Sequence, residues 1–317
     1  MPEEVLRHRA FTLIGGRTFT WADLVVSAQV WGEWDKAVAA AVAAERAIER
    51  ARAEGALGGA QVEDTARQFR YEHQLLSADE LDKWLDFRGL DLESWLDYIH
   101  AACLSGEQVP GEVAAGSDEI RKPAWAHAVC SGSLERVGRR LAEYLAVAEA
   151  IGMPVGRATL GTEELRALEH AHSEFSSAID HTETRRELER RQVEWTRVRI
   201  RQLSSEDEQV VRELALCVRA DGRPIDDVAI TAGAPIKCRY LELGHVDEPL
   251  RSKLLGAHVG ELLGPLRYGA DHLLVEVVEK HPPSFDDPEL VQRARAYAVE
   301  RTLLSEVSER VSFHELP

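Results

Sequence analysis

The stretch HVGELLGPLRYGADHLLVE, residues 258–276, decides the fold of the C-terminal third of this chain. Gly260 and Gly264 permit a positive φ on either side of a short apolar run, so the backbone can turn sharply there. Two apolar runs separated by a glycine-containing turn predict two strands, Leu262–Arg267 and His272–Glu279. The stretch is therefore predicted to carry the chain from a helix into a β-hairpin.

The residues before this hairpin alternate between strand and helix patterns. Val198 and Ile200 belong to an alternating run up to Leu203 that predicts a strand. A small antiparallel sheet with helices on one face leaves its other face as a groove. The other predicted elements are helices over 206–220, 224–232, 249–255 and 287–311 and a strand over 237–243.

The N-terminal half is predicted to be mainly helical after one short β-hairpin. Phe11–Ile14 and Arg17–Thr20 are β-prone runs joined by two glycines, which suit a tight turn. Thr20, with Asp23 in the first turn, is expected to cap one helix that continues to Glu54. Further helices are expected over 62–76, 81–87, 124–151 and 162–191 and after Asp91, with a linker over 105–118.

Together these patterns predict an α+β protein with a mainly helical N-terminal region, a short β-hairpin and a four-stranded antiparallel sheet. We expect four parts. Residues 1–104 hold the hairpin and a helical region, 105–193 a linker and a long helical region, 194–283 the sheet domain, and 284–317 a C-terminal helix.

The net charge limits the possible partners. The 317 residues include 55 acidic and 38 basic side chains, and the formal net charge is −17. The electrostatic field therefore opposes nucleic acid and anionic lipid, so neither is an expected partner. A neutral or basic peptide can approach more easily.

The cysteines and the absence of apolar segments indicate a reducing compartment. Cys103, Cys130, Cys217 and Cys238 lie far apart without a CxxC pair, which argues against structural zinc and against a disulfide framework. The first residues lack the apolar core of a signal peptide, and no stretch reaches the roughly 18 apolar residues of a membrane span. We therefore expect a cytoplasmic protein with free thiols and no membrane contact.

The order of elements over 194–283 resembles the parvulin-type (PpiC-like) peptidyl-prolyl isomerases. Residues 258–266 resemble that family's Gly-Glu-hydrophobic-x-Gly-Pro-hydrophobic segment, and 268–276 resemble its closing Gly-Tyr-His-hydrophobic-hydrophobic strand. The helical N-terminal part and the terminal helix are similar to the arrangement in SurA-like and PrsA-like foldases, which cradle client chains. Four segments further resemble PpiC-related peptide maturation proteins, which are associated with ribosomally synthesised modified peptides. These segments are residues 194–203, 215–222, 262–274 and 281–296.

The resemblance implies a groove in which polar residues and an apolar pocket surround an X-Pro bond. The family's two facing histidines fall on Gln202 and His272, which could still form a hydrogen bond with each other. Its Cys or Asp position falls within Gly233–Pro235, which offers neither a thiol nor a carboxylate. Cys238 lies on a predicted strand after this loop, so the catalytic role is not assigned to it. The apolar pocket positions fall near Leu241, Val246 and Leu250.

With part of the polar set missing, the resemblance predicts a peptide-binding, chaperone-like accessory protein without a cofactor. The implied partner is a peptide or unfolded polypeptide, in particular a precursor peptide of ribosomal natural-product maturation with its modifying enzymes. The alternative is a peptidyl-prolyl isomerase or a peptide-modifying enzyme that uses the same groove. For His272 alone, the alternative is a hydrogen-bonded sheet histidine without ligand contact.

Other patterns suggest further alternatives. His170, His172, Glu174 and His181 lie on one predicted helix and could hold a divalent ion, but a polar helix surface also explains them and no HExxH pattern is present. No phosphate-binding glycine loop follows a strand, so no nucleotide is expected. The hairpin edge is a candidate for strand addition by a leader peptide. Core packing rather than a ligand-stacking surface is expected of Trp84, Phe87, Trp95 and Tyr98, which recur at helical spacing.

Overall fold

The structure is a computed structural model and describes residues 3–55, 59–104, 120–155 and 160–317. The chain forms two units, one of Met1–Ala178 with Arg301–Pro317 and the other of Ile179–Glu300. Helices and two antiparallel sheets confirm the expected α+β class. The expected linker over 105–118 lies outside the described residues. No helix in the described ranges is long and apolar enough to cross a membrane.

Seven strands and fourteen α-helices are found in the described residues. The strands are β1 (Arg9–Leu13), β2 (Thr18–Thr20), β3 (Arg197–Ser205), β4 (Ile236–Glu242), β5 (Leu262–Tyr268), β6 (Asp271–His281) and β7 (Val311–Phe313). The helices before β3 are α1 (Trp21–Val30), α2 (Glu33–Glu54), α3 (Ala60–Glu72), α4 (Ala78–Phe87), α5 (Leu92–Leu104), α6 (Arg121–Cys130), α7 (Ser133–Ala150), α8 (Thr162–Ala178), α9 (His181–Arg190) and α10 (Gln192–Trp195). The helices after β3 are α11 (Glu208–Arg219), α12 (Ile225–Ala232), α13 (Glu248–Gly256) and α14 (Pro288–Arg310).

The predicted N-terminal hairpin is present and gains a third strand. The sheet order is β2-β1-β7, and β7 pairs antiparallel to β1 with Phe11 opposite Phe313. The expectation of a helix through Val311 is therefore wrong by one residue, because α14 ends at Arg310 and a β-branched and aromatic segment follows. This strand occupies the edge of β1, so a leader peptide that adds a strand would have to pair with the outer edge of β2 or of β7 instead.

Two long helices that we expected to be continuous are each divided into two. Gly32 adopts φ 71° between α1 and α2, so the helix that Thr20 caps ends at Val30. The cap itself is as predicted, since the Thr20 N–H donates to Asp23 Oδ2 at 2.8 Å. The helix expected over 162–191 is interrupted before α9, where the Asp180 carboxylate accepts the Thr182 N–H at 2.8 Å.

The core of the first unit contains the aromatic residues of the helical region. Trp95 is buried and its ring lies 5.9 Å from that of Phe69 in an edge-to-face arrangement. Half-buried Trp84, Phe87 and Tyr98 pack against the same core. The expectation that these aromatic residues form core is confirmed.

The second unit contains a four-stranded antiparallel sheet in the order β4-β3-β6-β5. Helices α11 and α12 cover one face around buried Leu203 and Leu274, and we call this the α11 face. Helix α13 packs on the other face around Ile200 and Val275, which we call the α13 face. The two faces follow from the strand period of two, because Leu203 and Leu274 are paired and Gln202 and Val275 form the adjacent pair.

Candidate functional site

The α13 face forms the apolar surface on which the predicted pocket residues meet. Val198, Ile200 and Val277 from the central strands are almost fully buried. Helix α13 adds Leu254, which is also buried. The three predicted pocket residues, Leu241, Val246 and Leu250, are half-buried and pack at the border of the α13 face. The structure therefore brings these three residues to one apolar cluster.

A small cavity of about 60 Å³ opens at one end of this face. Buried Leu266 and Leu273 of the β5–β6 hairpin and half-buried Leu250 of α13 form its apolar walls. Lys253, Arg267 and the 54% exposed Tyr268 belong to its lining. A small apolar side chain can enter such a space, with the Lys253 ammonium and the Tyr268 phenol available to the adjoining peptide groups.

Only one of the predicted pocket residues, Leu250, lines this cavity. Leu266, Leu273 and Tyr268 were not among the predicted site residues, although all three lie in the stretch that predicts the hairpin. Their alternation on β5 and β6 was visible, but the face that meets α13 depends on the strand pairing.

Gln202 lies on the α13 face, as the groove would require. It is paired with Val275 between β3 and β6, so its side chain shares the face of Ile200. Among the described residues, no hydrogen-bonding partner is found for its side-chain amide. Gln202 can therefore donate to or accept from a bound peptide.

His272 lies on the opposite face. It is paired with Ser205, an odd number of positions from Gln202 along β3, so its side chain shares the α11 face with Leu203. Its imidazole Nε2 is 3.7 Å from the Glu208 carboxylate at the start of α11, and its Nδ1 is buried without a hydrogen-bond partner in the described residues. The hydrogen bond that we considered between Gln202 and His272 is therefore not formed.

The positions of the expected acid or thiol also offer no nucleophile to the groove. Gly233 ends α12 with φ 64°, and Ala234 donates its N–H to Ala229 in a helix C-terminal turn. Cys238 is exposed on β4 and is paired with Arg201, whose guanidinium contacts Asp226 on the α11 face. The thiol therefore points away from the α13 face.

The histidine-rich helix does not assemble a metal site. His170 contacts Glu174 at 3.4 Å, but α8 ends at Ala178, so the spacing to His181 on one helix face does not hold. His172 instead lies 2.6 Å from Glu143. In the described ranges no three metal-ligating side chains are grouped.

Comparison with known proteins gives only distant structural likenesses. No protein-family model and no curated protein matches the chain. The foldase protein PrsA from Streptococcus pneumoniae is 10% identical, with 95% of this chain and 93% of that chain covered, at a TM-score of 0.25. A Campylobacter jejuni structure from the SurA-like chaperone pair PEB4 and Cj1289 is 11% identical, with 97% and 99% covered, at a TM-score of 0.21. These neighbours are foldases and SurA-like chaperones, but such TM-scores do not establish a common fold.

Proposed function

We propose that this chain binds an extended peptide on the α13 face of its second sheet and acts as a chaperone-like accessory protein. The observation that carries the proposal is the apolar cavity between Leu250, Leu266 and Leu273. An apolar side chain of the peptide fills this cavity, and the exposed ring of Tyr268 covers the neighbouring residue. The side-chain amide of Gln202 bonds to a peptide group on the same face.

Binding is favoured over isomerisation because the polar groups are divided between the two faces. The barrier to rotation about a peptide bond is about 20 kcal/mol, so catalysis needs polar groups beside the bond as well as an apolar pocket. On the α13 face Gln202 is paired with Lys237 of β4, whereas His272 and Cys238 both lie on the α11 side of the sheet. The groove therefore holds a peptide without the facing pair of Gln202 and His272 that the resemblance implies for rotation of the bond.

The proposed client is a precursor peptide of a ribosomally synthesised, modified natural product. The support for this finer assignment is the resemblance of segments such as 194–203 and 281–296 to PpiC-related peptide maturation proteins. The net charge of −17 favours neutral or basic clients at long range. The Lys253 ammonium beside the cavity favours carbonyl groups or one acidic residue next to the inserted side chain.

Fluorescence anisotropy with a labelled peptide tests the binding site. The probe is the precursor peptide encoded nearest to the gene, compared with a scrambled peptide of the same composition. We expect Leu250→Asp to weaken binding by at least about tenfold, because a carboxylate would enter the apolar cavity. Leu255→Asp is the matched control, since Leu255 is 46% exposed on the same helix and does not line the cavity.

A protease-coupled assay with a prolyl peptide separates binding from catalysis. We expect no acceleration of cis/trans exchange above the uncatalysed rate, and equal binding of peptides with proline or alanine at the inserted position. Turnover that His272→Ala abolishes would overturn the proposal in favour of a prolyl isomerase. Equal binding of the precursor and the scrambled peptide would overturn the assignment of the client but leave the binding site intact.

A further inference from the structure

A second, larger cavity lies within the first unit. It has a volume of about 480 Å³ and lies between α2, α5 and α6. Its floor is apolar, because alanines stand where these helices face one another. The floor residues are Ala41, Ala44 and Ile48 of α2, Ala101 of α5 and Ala126 of α6.

The alanines explain why the cavity exists. Helices that pack through methyl side chains fill little of the space between their axes, and a third helix that approaches both cannot close it. A cavity of this size falls within the range of about 300–1,000 Å³ that is typical of ligand sites.

One wall of the cavity is aromatic and neutral. The rings of Tyr98 and His127 lie 5.6 Å apart in an edge-to-face arrangement. Burial raises the pKa of the Tyr98 phenol to about 12. Burial also lowers the pKa of His127, so neither side chain is charged near neutral pH. A cation bound at this wall would contact an aromatic ring face, and neither side chain would repel it with a positive charge.

The rim of the cavity is acidic. Among the described residues, its lining includes the carboxylates of Glu45, Glu49, Glu93 and Asp97 and two strong bases, Arg52 and Lys122. Each base already has a carboxylate partner. Arg52 lies 3.5 Å from Asp97, and Lys122 lies 2.5 Å from Asp91 outside the lining.

Two of the rim carboxylates remain available to a ligand. Neither Glu49 nor Glu93 forms an ion pair with another described residue, and both are exposed at the mouth. They lie on α2 and α5, on the two sides of the apolar floor. The cavity therefore combines an apolar floor, an aromatic wall and uncompensated negative charge.

We propose that this cavity binds an arginine or lysine side chain of a basic peptide segment. The aliphatic stem lies on the alanine floor, and the cationic end reaches the Tyr98 ring and the carboxylates of Glu49 and Glu93. The volume of about 480 Å³ exceeds one side chain, so apolar residues beside the basic one enter as well. This site is independent of the groove in the second unit and does not require the function proposed for it.

Fluorescence anisotropy on the full chain tests this site. The probe is a fluorescein-labelled peptide amide of sequence Ala-Leu-Arg-Ala-Leu-Arg-Ala, compared with the same peptide carrying Gln for Arg. We expect the arginine peptide to bind at least about tenfold more tightly, with a difference that shrinks between about 0.05 M and about 0.5 M salt. Glu49→Gln with Glu93→Gln is expected to remove most of that preference.

A matched variant controls for the change in net charge. Glu63→Gln with Asp82→Asn removes the same two charges from exposed positions on α3 and α4 of the same unit. We expect this control to retain the binding of the unmodified protein within about twofold. If it weakens binding as much as Glu49→Gln with Glu93→Gln does, only the net charge matters and the proposal is wrong.

Two further outcomes decide the identity of the ligand and the site. Free arginine amide that competes as strongly as the peptide would overturn a peptide ligand in favour of a small organic cation. Loss of probe binding in Leu250→Asp, with no loss in Glu49→Gln plus Glu93→Gln, would place the probe in the second unit and refute this site. Loss of probe binding only in Glu49→Gln plus Glu93→Gln supports this site, whether or not the groove in the second unit binds a peptide.

Discussion

Gln202 and His272 lie on adjacent, paired strands but on opposite faces of the four-stranded sheet. Gln202 is paired with Val275, and His272 is paired with Ser205, so the two side chains are separated by the sheet itself. Gln202 belongs to the apolar α13 face, whereas His272 is near Glu208 at the start of α11. This relationship separates the two residues that the resemblance pairs for catalysis, and leaves Gln202 on the α13 face opposite Lys237 of β4.

The two residues are therefore predicted to differ in their effect on peptide binding. Gln202→Ala should weaken binding by about twofold to tenfold, the value of one hydrogen bond, because its amide faces the groove. His272→Ala should leave the affinity unchanged within about twofold. Fluorescence anisotropy with the precursor peptide measures both. A larger loss for His272→Ala than for Gln202→Ala would mean that the α11 face, and not the α13 face, holds the peptide.

This division could not be derived from the sequence alone. Alternation within each strand shows that Gln202 and Ile200 share a face, and likewise His272 and Leu274. Whether Gln202 and His272 lie on the same face of the sheet depends on the register between β3 and β6. A shift of that register by one residue would place the two side chains on one face. The apolar residues of the sheet were predictable because burial follows from their own strand pattern. The relation between two polar residues on different strands was not.

Gly264 is predicted to be essential for the β5–β6 hairpin. It adopts φ 129°, and a Cβ at this position would lie 2.6 Å from the Leu273 carbonyl oxygen. Gly264→Ala should lower the free energy of unfolding by about 2 kcal/mol or more, because both the backbone conformation and the contact are unfavourable. Urea unfolding measures the change.

Gly269→Ala provides the comparison in the same hairpin. Gly269 adopts φ 63° but has open space around it, so only the backbone preference is lost, at a cost of about 1 kcal/mol. Equal losses for the two variants would show that the backbone oxygen of Leu273 moves away without cost.

The cysteines are predicted to react with thiol reagents at very different rates. Cys130 is only 4% exposed, and burial raises its pKa to about 12, so little thiolate forms at about pH 8. Cys238 is exposed on β4 and should react first. Mass spectrometry after timed alkylation should find Cys238 modified rapidly and Cys130 only after unfolding. Rapid modification of Cys130 in the folded Cys238→Ser variant would contradict the packing of α6.

The helical part of the first unit shows a second limit of prediction from sequence. The helix cap at Thr20 was correctly predicted, because Thr20 and its partner Asp23 lie three residues apart in the chain. The break at Gly32 was missed, since apolar residues continue through it and only the φ of 71° shows that the helix ends. The pairing of β7 with β1 was missed because it joins residues from the two ends of the sequence.

The ion pair between Asp91 and Lys122 is predicted to set the pKa of the Asp91 carboxyl. The Lys122 ammonium lies 2.5 Å from Asp91 Oδ2, and Ser94 also donates its N–H and its hydroxyl to Oδ1. These hydrogen bonds hold the pKa of Asp91 well below its ordinary value. A lowered folded-state pKa stabilises the fold above the unfolded value of about 3.9, and this contribution is lost as the pH falls through the folded value.

Lys122→Met should therefore raise the pKa of Asp91 toward its ordinary value, and Ser94→Ala should raise it by a smaller amount. Carboxyl-carbon NMR during an acid titration measures both shifts. The change in stability near neutral pH should stay small, because the pair is more than half exposed on both sides and solvent screens it. An unchanged Asp91 pKa in Lys122→Met would show that α6 does not hold its lysine against the N-terminus of α5. In that case Lys122 would be a free cation at the rim of the cavity between α2, α5 and α6, and the negative charge that favours a basic ligand there would be weaker.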